Sequence, residues 1–245
     1  MKDENKKEIQ DAFQNASLAL RSLEEVIRKY YNTPKENLNI KEFKKIQFPP
    51  NYIRTKYHFV QQYNLNVLIT DKIKIASIAY SLMQSDLHNY ILNRVHIWGI
   101  VEGFFFKSAI INLVSIIEAL ILCSISKQHT FCTTNNGKTV CKFNGNCKFY
   151  IKSAKHMKVK EAIEYFKDKY FNGNLEIYDD LIHLNRIRNN VHISILEEHE
   201  FESKDYCFES YNKAIRVLLY LKENQYKVMQ EYHIHRNNGC EVLPF

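Results

Sequence analysis

The feature that most limits the fold of this chain is how rarely its sequence interrupts a helix. The 245 residues include only 6 Gly and 4 Pro, and these two residue types are the strongest breakers of regular structure. Between them, apolar residues recur at steps of three and four, which is the spacing of one helix face. The sequence therefore predicts an all-α protein and disfavours a β-sandwich with its many turns.

The periodicity predicts a helical bundle with an N-terminal helical extension and a small Cys-rich insertion. We expect an N-terminal helical region over 1–98, a bundle over 99–233 that contains the insertion at 128–153, and an irregular tail over 234–245. The individual helices are predicted at 3–31, 52–63, 69–98, 102–126, 157–170, 175–193 and 205–233. Asp71, with Thr70 before it, is a plausible N-cap for the third of these.

Charge and cysteine content bear on partners and location. The net charge of +7 favours phosphate-rich partners, but it is scattered and forms no basic arm. Residues 1–10 are strongly charged and no apolar segment follows them, so no signal peptide is predicted. The six cysteines form no obvious secreted framework, which indicates a reducing cytoplasm.

The most apolar segment, 103–125, is predicted to be a buried core helix rather than a membrane span. Lys107, Asn112 and Glu118 interrupt it, and charged residues are costly inside a bilayer. Asn112, Ser115 and Glu118 follow one another at steps of three, so we expect them to line one edge of the helix. Because buried polar groups need partners, they either form helix-to-helix hydrogen bonds or support a functional site.

The segment 181–194 combines an apolar stripe with a row of basic and amide side chains. Its apolar residues form one core-facing stripe: Leu181, Leu184, Ile187 and Val191. The polar residues beside that stripe are Asn185, Arg186, Arg188, Asn189 and His192. Arg offers a fixed fork of donors and His exchanges a proton near neutral pH, a combination suited to binding a phosphate. The alternative is a solvated basic face that carries one ordinary His.

Three closely spaced cysteines predict a small structural zinc site. Cys132, Cys141 and Cys147 are separated by eight and five residues, a spacing that resembles the first three ligands of CCCH zinc fingers. Ile151 stands where that family places its His, and His129 is the nearest substitute. Other candidates for the fourth ligand are His156, His233, His235 and Cys240. Thiolates bind zinc strongly and would close a loop poor in apolar residues; otherwise the three thiols are free or redox-active.

The segment from Arg186 to His192, near the end of one helix and followed by a long last helix, resembles the HEPN superfamily. The earlier helix over 107–120 is similar too, because that family often carries a polar residue facing its site there. The resemblance covers roughly residues 100–232, with the cysteine loop as an insertion. Arg186 to His192 matches the R-x(4-6)-H motif, although Ile187 stands where a polar residue is usual. Arg188 and Asn189 supply the usual Arg-Asn pair, so both arginines stay candidates.

The resemblance implies a usually dimeric helical bundle and metal-independent RNA cleavage in a defence or toxin system. His192 would move a proton to or from the ribose 2′-hydroxyl, and an arginine would stabilise the charge on the phosphate. Asn189 would orient the phosphate or the His. The implied partners are RNA, a second copy of the chain and an antitoxin or other defence-system protein, with no membrane. Catalysis would need no cofactor. Apart from the resemblance, a zinc site with three Cys offers no obvious open position and no adjacent base, so we expect the zinc to be structural.

Two other functions stay open at the level of sequence. A non-catalytic helical module would use Arg186, Arg188 and His192 to bind RNA, a nucleotide or another partner without turnover. A zinc-stabilised interaction protein would dock its partner through the first 95 residues. The classes differ in one observable: only the ribonuclease produces 2′,3′-cyclic ends from RNA in the presence of EDTA.

Overall fold

The structure, a computed structural model, describes residues 3–31, 53–97, 99–132, 158–169, 174–189 and 205–239. All regular elements in these ranges are α-helices, which confirms the all-α prediction. The helices are α1 (Asp3–Tyr31), α2 (Lys56–Gln62), α3 (Leu65–Leu68), α4 (Lys72–Arg94), α5 (Ile100–Cys132), α6 (Val159–Lys169), α7 (Leu175–Asn189) and α8 (Phe208–Gly239).

The chain divides into two compact units. The first, Met1–Tyr52, contains α1, whose predicted bounds of 3–31 are confirmed. The second, Ile53–Phe245, contains the other helices. The predicted domain boundary between residues 98 and 99 stays a prediction. In the structure, helices α2, α3 and α4 belong to the same compact unit as α5.

Helix α5 is the central element of the second unit. It packs against α3, α4, α6, α7 and α8. Nine of its core side chains are at most 1% exposed: Ala109, Ile110, Leu113, Val114, Ile116, Ile117, Leu120, Ile121 and Ile125. A helix that is apolar on nearly every side is stable in water only when other helices surround it. The composition of α5 therefore explains its position.

Within the described residues one helical stretch, Ile100–Lys127, is long and apolar enough to cross a membrane by length and composition alone. Of its most apolar window, 67% is buried inside the protein. The helix is therefore mostly buried, as its interrupting residues Lys107, Asn112 and Glu118 predicted.

Polar contacts fix the neighbouring helices to this core. The Gln225 amide of α8 donates to the backbone oxygen of Leu120 at 2.9 Å and to Ser124 Oγ at 2.5 Å, both on α5. Arg216 of α8 donates from Nε to Asp180 Oδ2 of α7 at 2.9 Å. A buried polar group costs little when it is hydrogen-bonded, so these contacts set the rotation of α8 against α5 and α7.

Several helices differ in length from their predicted bounds. Helix α5 continues to Cys132, so 128–132, predicted to belong to the Cys-rich insertion, are helical. Helix α8 continues to Gly239, so 234–239, predicted to be irregular, are helical too. The apolar periodicity fades before these ends, but no Gly or Pro follows until Gly137 and Gly239. A helix continues until a breaker or a competing contact ends it.

The predicted helix over 69–98 is shorter in the structure. The short α3 precedes it, and α4 begins at Lys72 and ends at Arg94. The predicted cap at Asp71 is confirmed, because its carboxylate accepts from the backbone N–H of Ile73 at 2.8 Å and of Lys74 at 3.3 Å. Such a side chain satisfies amides that the first turn of a helix leaves unpaired.

Candidate functional site

The apolar stripe of α7 determines which of its polar side chains reach solvent. Leu181, Leu184 and Ile187 are buried against the core, as the spacing predicted. Consequently Asn185 is half-buried, and Arg186, Arg188 and Asn189 are exposed on the last turns of the helix. Val191 and His192 lie outside the described residues.

The predicted residues Glu118 and Arg188 are in contact across α5 and α7. Arg188 Nη2 lies 3.4 Å from Glu118 Oε2, and Arg188 Nη1 donates to Asn189 Oδ1 at 3.3 Å. The Arg188 side chain is 43% exposed, whereas that of Glu118 is 9% exposed. The guanidinium is therefore attached to the core on one side and reaches solvent on the other, next to an amide.

Glu118 is an unusual residue for the interior of an apolar helix. Burial raises the pKa of its carboxyl above the ordinary range, and the positive charge of Arg188 opposes that rise. Its second oxygen, Oε1, is buried with no hydrogen-bond partner among the described residues. An unsatisfied buried carboxylate oxygen is costly, so the ion pair with Arg188 is the main contact that stabilises the charged form.

Arg186 lies on a different side of α7 from Arg188. Its Nη2 donates to Asp205 Oδ1 at 3.3 Å and lies 3.5 Å from His183 Nδ1. Two residues along a helix are about 200° apart, so the two arginines cannot serve one site on a single helix face. Of the two candidates, Arg188 is the one that the structure brings together with Asn189 and Glu118.

The remaining members of the polar row on α5 do not converge on this site. The Asn112 amide donates to the Ser81 backbone oxygen and to Ser85 Oγ, both at 2.8 Å, on α4. Ser115 is exposed and donates to the Ile111 oxygen of its own helix. Three-residue steps drift by about 60° each around a helix, which turns Asn112 towards α4 and Glu118 towards α7. For Asn112 the structure shows the helix-to-helix bonding that was one of the two alternatives.

His183 is a titratable residue of α7 that the sequence reasoning did not single out. Burial lowers its pKa, and the positive charges of Lys213 and Arg186 lower it further. The signal in the sequence was its position three residues before Arg186, which places the two on neighbouring turns. Asp205 is the first residue of the predicted helix over 205–233, and nothing in the sequence marked it as a partner of Arg186.

The predicted zinc ligands lie at the edge of the described structure or beyond it. His129 and Cys132 fall in the last four residues of α5, one turn apart, and Cys141 and Cys147 lie outside the described residues. Among the described residues no group of three or more His, Cys, Asp or Glu is placed to hold a metal ion. The zinc site therefore stays a prediction.

Comparison with protein-family models, with curated proteins and with solved structures found no match for this chain.

Proposed function

We propose that this protein is a metal-independent endoribonuclease of a prokaryotic defence or toxin system, acting in the cytoplasm. The observation that supports the proposal is the exposed guanidinium of Arg188, held by buried Glu118 and adjacent to Asn189. A guanidinium fixed at its base is organised in advance for a phosphate, so little side-chain entropy is lost on binding. The net charge of +7 attracts the same ligand.

The chemistry proposed is attack of the ribose 2′-oxygen on the adjacent phosphorus. The P–O5′ bond breaks, and the products are a 2′,3′-cyclic phosphate and a 5′-hydroxyl. His192 accepts the 2′ proton or returns one to the 5′-oxygen. Arg188 stabilises the negative charge on the phosphate oxygens, and Asn189 donates a hydrogen bond to them. A second copy of the chain completes the cleft across a two-fold axis.

The alternative is a non-catalytic module that binds RNA, a nucleotide or a protein partner. The observation that favours it is that both arginines are already paired with carboxylates, Arg186 with Asp205 and Arg188 with Glu118. Basic side chains in the last turn of a helix are also stabilised by the helix dipole. A basic helix end thus has a structural explanation that requires no catalysis.

The test is incubation of the purified protein with mixed RNA in EDTA, followed by analysis of the product ends. We expect cleavage with 2′,3′-cyclic ends, lost in His192→Ala and retained in His183→Ala. The second substitution is the matched control, because it removes another histidine of the same region. RNA binding without products would favour the alternative, and full activity of His192→Ala would refute the assignment.

A further inference from the structure

Helix α1 carries an exposed apolar stripe with a regular repeat. Ile9, Phe13, Ala16, Leu20 and Leu23 follow one another at alternating steps of four and three. All five side chains are exposed; the four large ones are 42–50% exposed. The average step of 3.5 residues equals the period of a coiled coil.

The two seven-residue repeats of the stripe fit a helical partner. Over its two repeats the stripe drifts by only about 40° around a straight helix, and supercoiling around another helix with the same period removes that drift. An isolated helix is marginal in water, and exposed large apolar side chains add to the cost. The stripe is therefore suited to a second helix rather than to the irregular surface of a globular partner.

We propose that α1 pairs in antiparallel orientation with α1 of a second copy of this chain. Residues 3–15 contain four acidic and two basic residues, a net charge of −2, whereas 16–31 contain three basic and two acidic, a net charge of +1. An antiparallel pair brings these unlike halves together. A parallel pair would place like charges and aligned helix dipoles side by side.

The sizes of the stripe residues favour the same orientation. In the antiparallel register that pairs Phe13 of one copy with Leu23 of the other, Ala16 of one copy lies opposite Leu20 of the other. Large residues then face small or medium ones, which fills the seam. In a parallel pair Ala16 would face Ala16 and leave a cavity, which is destabilising. The inference is independent of the proposed ribonuclease activity, because no residue of α7 takes part in it.

The test is chemical cross-linking of the full-length protein through a single introduced cysteine. In this register the two Ser17 residues flank the middle of the seam on the same side, whereas the two Gln10 residues are about 24 Å apart. A short bismaleimide is expected to give covalent dimers of Ser17→Cys above the background of the unaltered chain. Gln10→Cys is the matched control and is expected to stay at that background.

A second pair of substitutions distinguishes the stripe from the rest of α1. Leu20→Lys on the Ser17→Cys background places a charge in the seam and is expected to abolish cross-linking. Leu18→Lys is the matched control, since Leu18 is 56% exposed and lies on the opposite side of the helix; cross-linking should persist. Equal effects of the two lysines, no excess dimer from Ser17→Cys, or a monomer that binds anionic vesicles through the stripe would each overturn the inference.

Discussion

The ion pair between Glu118 and Arg188 joins a buried carboxylate to a partly exposed guanidinium. Loss of Arg188 leaves the carboxylate in the interior without its charged partner, and such groups are costly. We expect Arg188→Gln to lower the free energy of unfolding by about 1–2 kcal/mol, since solvent screens part of the interaction. The measurement is urea denaturation at neutral pH.

Arg186→Gln is the control for that prediction. Arg186 is 61% exposed and its partner Asp205 is 27% exposed, and exposed pairs contribute roughly 0–1 kcal/mol. We expect a smaller loss of stability than for Arg188→Gln. If the two substitutions were equally destabilising, the burial of Glu118 would not matter to the pair.

The burial of His88 is expected to make the free energy of unfolding depend on pH. Its side chain is buried, Nε2 lies 3.2 Å from Ser108 Oγ, and burial lowers its pKa below the ordinary value. As pH falls below about 6.5, the unfolded chain binds a proton that the folded chain resists, so stability falls. We expect the free energy of unfolding to fall between pH 7.5 and 5.5.

The control for this pH dependence is His88→Gln, which keeps a polar group beside Ser108 but does not titrate. Denaturation curves at several pH values should show a weaker dependence in the variant. His183 also has a lowered pKa, so some dependence is expected to persist. An unchanged slope would contradict the buried, neutral state of His88.

The orientation of α7 depends on its buried stripe, and a pair of leucines tests it. Leu184 is fully buried, whereas Leu175 at the start of the same helix is 59% exposed. Leu184→Ala should cost about 2–5 kcal/mol of stability through lost burial and a cavity, and Leu175→Ala should cost less than about 0.5 kcal/mol. Thermal or urea denaturation of both variants measures the difference. Similar losses would mean that α7 is not anchored by this stripe.

The zinc prediction belongs to the segment that begins at the end of α5. If Cys132, Cys141 and Cys147 bind zinc with His129, the purified protein should contain about one zinc ion per chain. Elemental analysis of Cys141→Ser should show its loss. Cys207→Ser, which changes a free cysteine of the described structure, is the control and should retain the metal. Absence of zinc from the unaltered protein would leave the cysteines as free or redox-active thiols.

Across the whole molecule, the sequence predicted features that depend on local spacing. The scarcity of Gly and Pro predicted an all-α chain, and the steps of three and four predicted the buried side of α7. It did not predict the contact between Glu118 and Arg188, which are 70 residues apart, because that contact depends on how α5 and α7 pack. The sequence also predicted that Asn112 and Glu118 line one edge of α5. In the structure they face different helices, because each three-residue step turns by about 60° around the helix.

The most direct test of the proposed function compares the cleavage rates of two arginine variants under single-turnover conditions. If Arg188 stabilises the phosphate in the transition state, Arg188→Gln should lower the rate by at least about 100-fold. Because the guanidinium of Arg186 is directed to Asp205, Arg186→Gln should stay within about threefold of the unaltered protein. A large loss in Arg186→Gln together with a normal rate in Arg188→Gln would contradict the assignment of the site.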